Sequence, residues 1–168
     1  VTGTDVTVYG GTDIGYVFGG GYGASVTQSG TKVYIHGGTI QKVFGGNNQS
    51  GTVTGDISVT IDRQTEQDHQ SSPLHIGEVY GGGNVAASQA GILTIRSTGS
   101  DQEGIGYVFG GANDADVNGS ITLNITGGRI SNLFGGNNTG HTVNGNIEVN
   151  VNWNDQAGVN DAQFLNNV

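Results

Sequence analysis

The sequence predicts an all-β fold, a parallel β-helix (β-solenoid) of about six coils of roughly 26 residues each. Three observations predict it. A phrase of one aliphatic, one aromatic and two glycines recurs as Val17-Phe18-Gly19-Gly20, Val43-Phe44-Gly45-Gly46, Val79-Tyr80-Gly81-Gly82, Val108-Phe109-Gly110-Gly111 and Leu133-Phe134-Gly135-Gly136. An isoleucine stands three residues before each aliphatic: Ile14, Ile40, Ile76, Ile105 and Ile130. Upstream of these phrases run short segments with apolar residues on alternate positions, Val6/Val8, Val33/Ile35, Ile57/Val59/Ile61, Leu93/Ile95 and Ile121/Leu123/Ile125, and a sixth such segment, Ile147/Val149/Val151, follows the last phrase. That alternation, rich in β-branched residues, marks a strand with one buried face.

A third element follows the glycine loop: Val26, Val53, Val117 and Val143, the last three continuing as Thr-Gly or Asn-Gly, a pattern that Val1-Thr2-Gly3 matches. One repeat domain therefore spans 1–168, with coils at 1–25, 26–52, 53–88, 89–116, 117–142 and 143–168. A unit of this size cannot bury its own apolar face, but stacked copies bury a continuous core. Right-handed winding is expected, as for parallel crossovers generally. Composition alone, with 33 glycines and 33% hydrophobic residues, would also suit a disordered tract. Disorder does not account for an isoleucine held at one spacing in five copies. Propeller blades need about 40 or more residues, more than these units supply.

Stacking places equivalent residues above one another. Phe18, Phe44, Tyr80, Phe109 and Phe134 should form an aromatic ladder, read as a core or corner stack, with an exposed sugar-binding stripe as the functional alternative. Four residues after each aromatic come Tyr22, Asn48, Asn84, Asn113 and Asn138, which predict an asparagine ladder, because side-chain amides both donate and accept.

The repeat breaks at one corner. Coil three inserts residues 62–75 and coil four residues 96–103, so the two insertions should be spatial neighbours. They bring together Arg63, Glu66, Asp68, His69, His75, Arg96, Asp101 and Glu103. Carboxylates, histidines and arginines on a rigid scaffold suit a ligand site for a sugar acid or cation, and in principle acid–base chemistry at a glycosidic bond. A solvated insertion without ligand is the competing reading, and no catalytic residue is assigned. Asp114 and Asp116, in Asn113-Asp114-Ala115-Asp116 after a Gly-Gly, are the candidate metal ligands, with calcium as the ion; no other cofactor is expected. Trp153 falls at the variable corner of the last coil, as a cap or a sugar platform.

The chain has no Cys, which removes disulfides and thiolate chemistry. Net charge is −9 with five Lys plus Arg, which argues against nucleic acid and anionic membrane surfaces as partners. The longest apolar runs are too short to cross a membrane. The chain opens on a repeat boundary without Met and reads as a piece of a longer protein.

The phrases Gly38-Thr39-Ile40-Gln41-Lys42-Val43-Phe44-Gly45-Gly46-Asn47 and Gly128-Arg129-Ile130-Ser131-Asn132-Leu133-Phe134-Gly135-Gly136-Asn137 resemble Gly-rich repeats of large adhesin-like surface proteins of gut bacteria, proteins similar in architecture to pectin-lyase-like β-helices. The resemblance covers about five of the six units, as counted by the recurring phrase. It implies an extracellular, cell-surface β-helix and carries no catalytic motif. The expected function is thus structural or adhesive: a segment of a surface protein or fibre that contacts neighbouring repeats or other copies of itself, stacks end to end into a filament, and meets glycans or host surface proteins. The alternative is a carbohydrate-binding or carbohydrate-active domain. Enzyme activity is disfavoured because few carboxylates, Asp5, Asp56 and Glu148, lie on or beside the regular strands.

Overall fold

The computed structural model describes residues 1–63, 73–99 and 103–152, and the backbone of 164–167. The chain alternates between two sheets. In order its strands are β1 (Gly3–Val8), β2 (Ile14–Phe18), β3 (Gly30–Ile35), β4 (Gly38–Phe44), β5 (Ile57–Asp62), β6 (Leu74–Tyr80), β7 (Gly91–Ser97), β8 (Gly104–Phe109), β9 (Ile121–Ile125), β10 (Arg129–Phe134), β11 (Ile147–Val151) and β12 (Phe164–Asn167). Odd-numbered strands build one six-stranded sheet in the order β1-β3-β5-β7-β9-β11, and even-numbered strands build the other in the order β2-β4-β6-β8-β10-β12. Every pairing is parallel. The fold is therefore a parallel β-solenoid in which each coil adds one strand to each sheet. Among the described residues no helix is long and apolar enough to cross a membrane.

Equivalent apolar residues stack through the interior. In the first sheet Val33, Val59, Leu93 and Leu123 form one buried column and Ile35, Ile61, Ile95 and Ile125 a second. The second sheet contributes Ile40, Ile76, Ile105 and Ile130, with Val43, Val79, Val108 and Leu133 beside them. Isoleucine and valine are three apart yet both enter the core. The aromatic directly after the valine then points to the opposite side of the sheet, as successive strand residues do. The expected aromatic ladder is present: centroid separations run 4.8 Å for Phe18–Phe44 and Phe44–Tyr80, and 5.0 Å for Tyr80–Phe109 and Phe109–Phe134. It forms a separate apolar cluster outside the main core, with Phe44, Tyr80 and Phe109 buried.

A third, minimal side joins Val26 to Val53, and Val117 to Val143, by single parallel bridges. Ser88 pairs with Val117 in that column, so coil four enters the register one residue earlier than the sequence divides it. Its buried hydroxyl has no hydrogen-bond partner among the described residues. In the last coil, which lacks the Phe-Gly-Gly phrase, Phe164–Asn167 still adds a strand, with Leu165 in register with Ile130.

Two kinds of Gly-Gly pair serve two different needs. At the corner from the first sheet to the second, Gly11, Gly38 and Gly128 have φ of 134°, 113° and 96°, a left-handed region that side chains disfavour. The glycines of the Phe-Gly-Gly phrase have no such φ. There the need is close approach between coils: a Cβ on Gly19, Gly45, Gly81 or Gly110 would overlap the carbonyl oxygen of the equivalent glycine one coil on. A Cβ on Gly45 would also sit 2.6 Å from Ile57 Cγ2 and 2.8 Å from Val59 Cγ2. None of these groups can swing aside. Gly45→Ala should therefore cost at least about 2 kcal/mol in urea unfolding. Gly140→Ala, where nothing lies within 4 Å, should stay within about 0.5 kcal/mol of the parent.

The asparagine ladder is continuous. Asn84 Nδ2 donates to Asn48 Oδ1 at 2.8 Å, Asn113 Nδ2 to Asn84 Oδ1 at 2.8 Å, and Asn138 Nδ2 to Asn113 Oδ1 at 2.9 Å. The links span 36, 29 and 25 residues, so one column absorbs coils of different length. Two further asparagines brace the same corner from inside. Asn47 accepts from Gly21 N and donates to the carbonyls of Ala24 and Ser50; Asn137 accepts from Ala112 N and donates to those of Ala115 and His141. A Cβ on Gly20 or Gly111 would overlap these amide oxygens, which accounts for the second glycine of the phrase in those coils. Asn84→Leu and Asn113→Leu should each destabilise the rod by about 1–2 kcal/mol in thermal melts, and an unchanged melting temperature in both would remove the ladder as a stabilising element.

Candidate functional site

The described ends of the two insertions meet, as expected, at the corner leading from the first sheet to the second. Arg63 N donates to Ser97 O at 3.0 Å. The Arg63 guanidinium lies 3.2 Å from Glu103 Oε2, and Arg96 lies 3.5 Å from Asp62 Oδ2. The first pair is largely buried, with Glu103 only 6% exposed, and the other Glu103 oxygen accepts from Leu74 N at 3.3 Å. Gly99 has φ of 95°, and a Cβ there would overlap this pair. Arg63, Arg96 and Glu103 thus fasten coil three to coil four. Glu66, Asp68, His69 and Asp101 lie outside the described residues, as does Trp153.

His75 is on β6, exposed on the outer face of the second sheet, in register with Gly104. Beside it opens a cleft of about 250 Å³ lined by His75, Glu103, Gly104, Ile105, Gly106, Arg129 and Ser131. Arg129, which sequence reasoning did not assign to the site, enters because β10 sits directly beside β8 in the sheet. Its backbone N–H is held by Thr98 Oγ1, a buried hydroxyl of the coil-four insertion, at 2.8 Å.

Asp114 and Asp116 lie elsewhere, on the corner after the phrase. Asp114 Oδ1 accepts from Thr139 Oγ1 at 2.7 Å and stands 3.2 Å from His141 Nε2; Asp116 Oδ1 accepts from Thr142 N at 2.9 Å and stands 3.5 Å from His141 Nδ1. Both carboxylates therefore tie coil four to coil five. Among the described residues no group of three or more His, Asp or Glu is arranged to hold a metal ion.

The outer face of the second sheet also carries a polar network that the sequence did not reveal. Lys42 Nζ is 2.8 Å from Glu78 Oε2, and the Tyr80 hydroxyl donates to that same oxygen at 2.5 Å. Asn138 Nδ2 in turn reaches the Tyr80 hydroxyl at 3.4 Å, so the network links the aromatic column to the asparagine column. Burial pushes the Tyr80 phenol well above its ordinary pKa, and the neighbouring Glu78 carboxylate adds to the shift. Burial alone would raise Glu78, but hydrogen bonds from Lys42 and Tyr80 and the Lys42 charge outweigh it and hold the carboxyl below 4.5.

Over the aromatic column runs a groove of about 340 Å³, lined by Tyr16, Phe18, Lys42, Phe44, Asn48, Gln49, Asn84 and Asn113. The inner rings are stacked nearly parallel, with interplanar angles of 5° to 7° about Tyr80. Their faces are therefore covered by one another, and a sugar ring, which packs on an aromatic face, has no platform on Phe44, Tyr80 or Phe109. Tyr16 differs: it is 60% exposed and tilted 55° to Phe18.

No protein-family model, curated protein or solved structure matches the chain.

Because Glu78 has a lowered pKa when folded, its stabilising contribution is present above the ordinary carboxylate range and lost as pH falls through the lowered value. Glu78→Gln should lose about 1–2 kcal/mol at neutral pH and show a smaller fall in stability between pH 5 and pH 3 than the parent, followed by urea unfolding across that range.

Proposed function

We propose that this chain is a structural and adhesive rod segment of an extracellular bacterial surface protein or fibre. The observation that supports this most is the direction of its polar contacts. The asparagine ladder, Lys42–Glu78, Arg63–Glu103, Arg96–Asp62 and the Asp114/Asp116 contacts to His141 all join one coil to the next. Side chains that bear chemistry thus act along the rod axis and hold coils together. Such a module resists local opening, because unstacking one coil breaks an apolar column, an amide ladder and a sheet pairing at once. Continuation of the same stacking, by further repeats of a longer chain or by a second copy, makes a longer rod.

A carbohydrate-binding role is the second reading. It is favoured by the two polar depressions on the outer face of the second sheet, the His75–Arg129 cleft and the groove beside Tyr16. Antibody labelling of intact source cells, with sedimentation of the purified chain and assays on neutral and acidic polysaccharides, separates the readings. The structural role predicts surface labelling, a rigid rod and no turnover. Chain cleavage of a polysaccharide by the purified protein, or labelling only after lysis, would overturn it.

A further inference from the structure

We propose that the groove over the aromatic column holds an extended neutral polysaccharide lying along the rod axis, one sugar per coil; this rests on the carbohydrate-binding reading and assigns its site and ligand class. Three features converge there. The first is period. Successive coils advance by 4.8–5.0 Å, as the ring spacings show, close to the advance of one pyranose in an extended chain, so a polysaccharide parallel to the axis passes one coil per sugar.

The second is hydrogen-bonding capacity. A side-chain amide offers two N–H donors and two acceptor lone pairs. Within the ladder Asn84 uses one donor toward Asn48 and one lone pair toward Asn113, which leaves a donor and an acceptor for the groove. Donor and acceptor side by side match the vicinal hydroxyls of a sugar. The third is a free aromatic face at one end. Tyr16, unlike the buried rings, presents its face beside the groove for the apolar side of a pyranose.

Charge selects the class. The cation bordering the groove, Lys42, is neutralised by Glu78 at 2.8 Å, and the chain as a whole carries −9. An acidic polysaccharide would meet net repulsion, whereas a neutral one pays no such cost. Lining residues from coils one to four, Tyr16, Lys42, Asn84 and Asn113, fix the length of the track at about four sugars.

The test is a titration of the whole chain with linear neutral gluco- and manno-oligosaccharides of two to six residues, with oligogalacturonates as the acidic series. Affinity should rise with each added sugar up to about four and then level, and the acidic series should bind more weakly. Tyr16→Ala, an exposed position, should weaken binding about five- to tenfold at unchanged melting temperature. Binding that is independent of length, or unaffected by Tyr16→Ala, overturns the proposal. If His75→Ala abolishes binding and Tyr16→Ala does not, carbohydrate recognition stands and belongs to the other cleft. Binding of neither series overturns the carbohydrate reading together with this site.

Discussion

The approach of one coil to the next at the Phe-Gly-Gly corner is the constraint on which the rest of the structure depends. A Cβ at the first glycine would overlap the next coil's carbonyl oxygen in four successive coils. Without it, backbone N–H groups reach across: Gly45 N donates to Tyr80 O at 3.0 Å and Gly81 N to Phe109 O at 3.0 Å. That contact brings the preceding aromatics to stacking distance and, four residues on, brings the asparagine amides within 2.8–2.9 Å. Ring column and amide ladder are thus consequences of the same backbone spacing, which is why they run side by side and meet at Tyr80 and Asn138.

Much of this was legible in the sequence because repetition and stacking are the same information. Strand columns, the aromatic ladder and the Asn48–Asn84–Asn113–Asn138 ladder follow from aligning the phrases. What escaped were departures from the average coil. Asn47 and Asn137 follow Gly-Gly directly, where other coils have Gly21, Gly83 and Ala112; the Asn-Asn doublets were visible, but only the second member recurs. Ser88 was missed because a polar residue stands in a column of valines, and its unpartnered hydroxyl shows that the position serves the coil in spite of its chemistry.

The candidate site was legible in place and not in content. Adjacent insertions at one corner pointed to Arg63, Arg96 and Glu103, and these do come together, as fasteners between coils. His75 and Glu103 of the insertions line the cleft, and the other polar groups of the outer face come from the regular strands. Glu78 sits within the phrase's own strand, and its partner Lys42 is related to it by register across an insertion, β4 on β6. Arg129 reaches the His75 cleft by the same cross-coil logic. Lys42 and Glu78 stand directly before the aliphatic of the aligned phrases, and His75, Gly104 and Arg129 directly before their isoleucine, so the repeat itself carried the signal that the insertions obscured.

The location of the insertions follows from where the coil is constrained. After Phe-Gly-Gly the chain runs through backbone contacts to the neighbouring coil at nearly every residue: Asn84 N to Asn47 O, Val85 N to Asn48 O, Asn113 N to Gly83 O and Asp114 N to Asn84 O. A single extra residue is accommodated there, as Phe44 to Val53 against Phe18 to Val26 shows, but a long excursion would break these contacts. The opposite corner turns through a left-handed glycine, and a longer excursion can leave and return if its ends are fixed. Gly38 N to Pro73 O at 2.8 Å and Leu74 N to Glu103 at 3.3 Å fix them. The long insertions thus fall at one edge of the rod, while the other keeps the continuous asparagine ladder. A period set by the backbone along one edge, beside an edge that takes insertions, lets one stack combine continuity with variation.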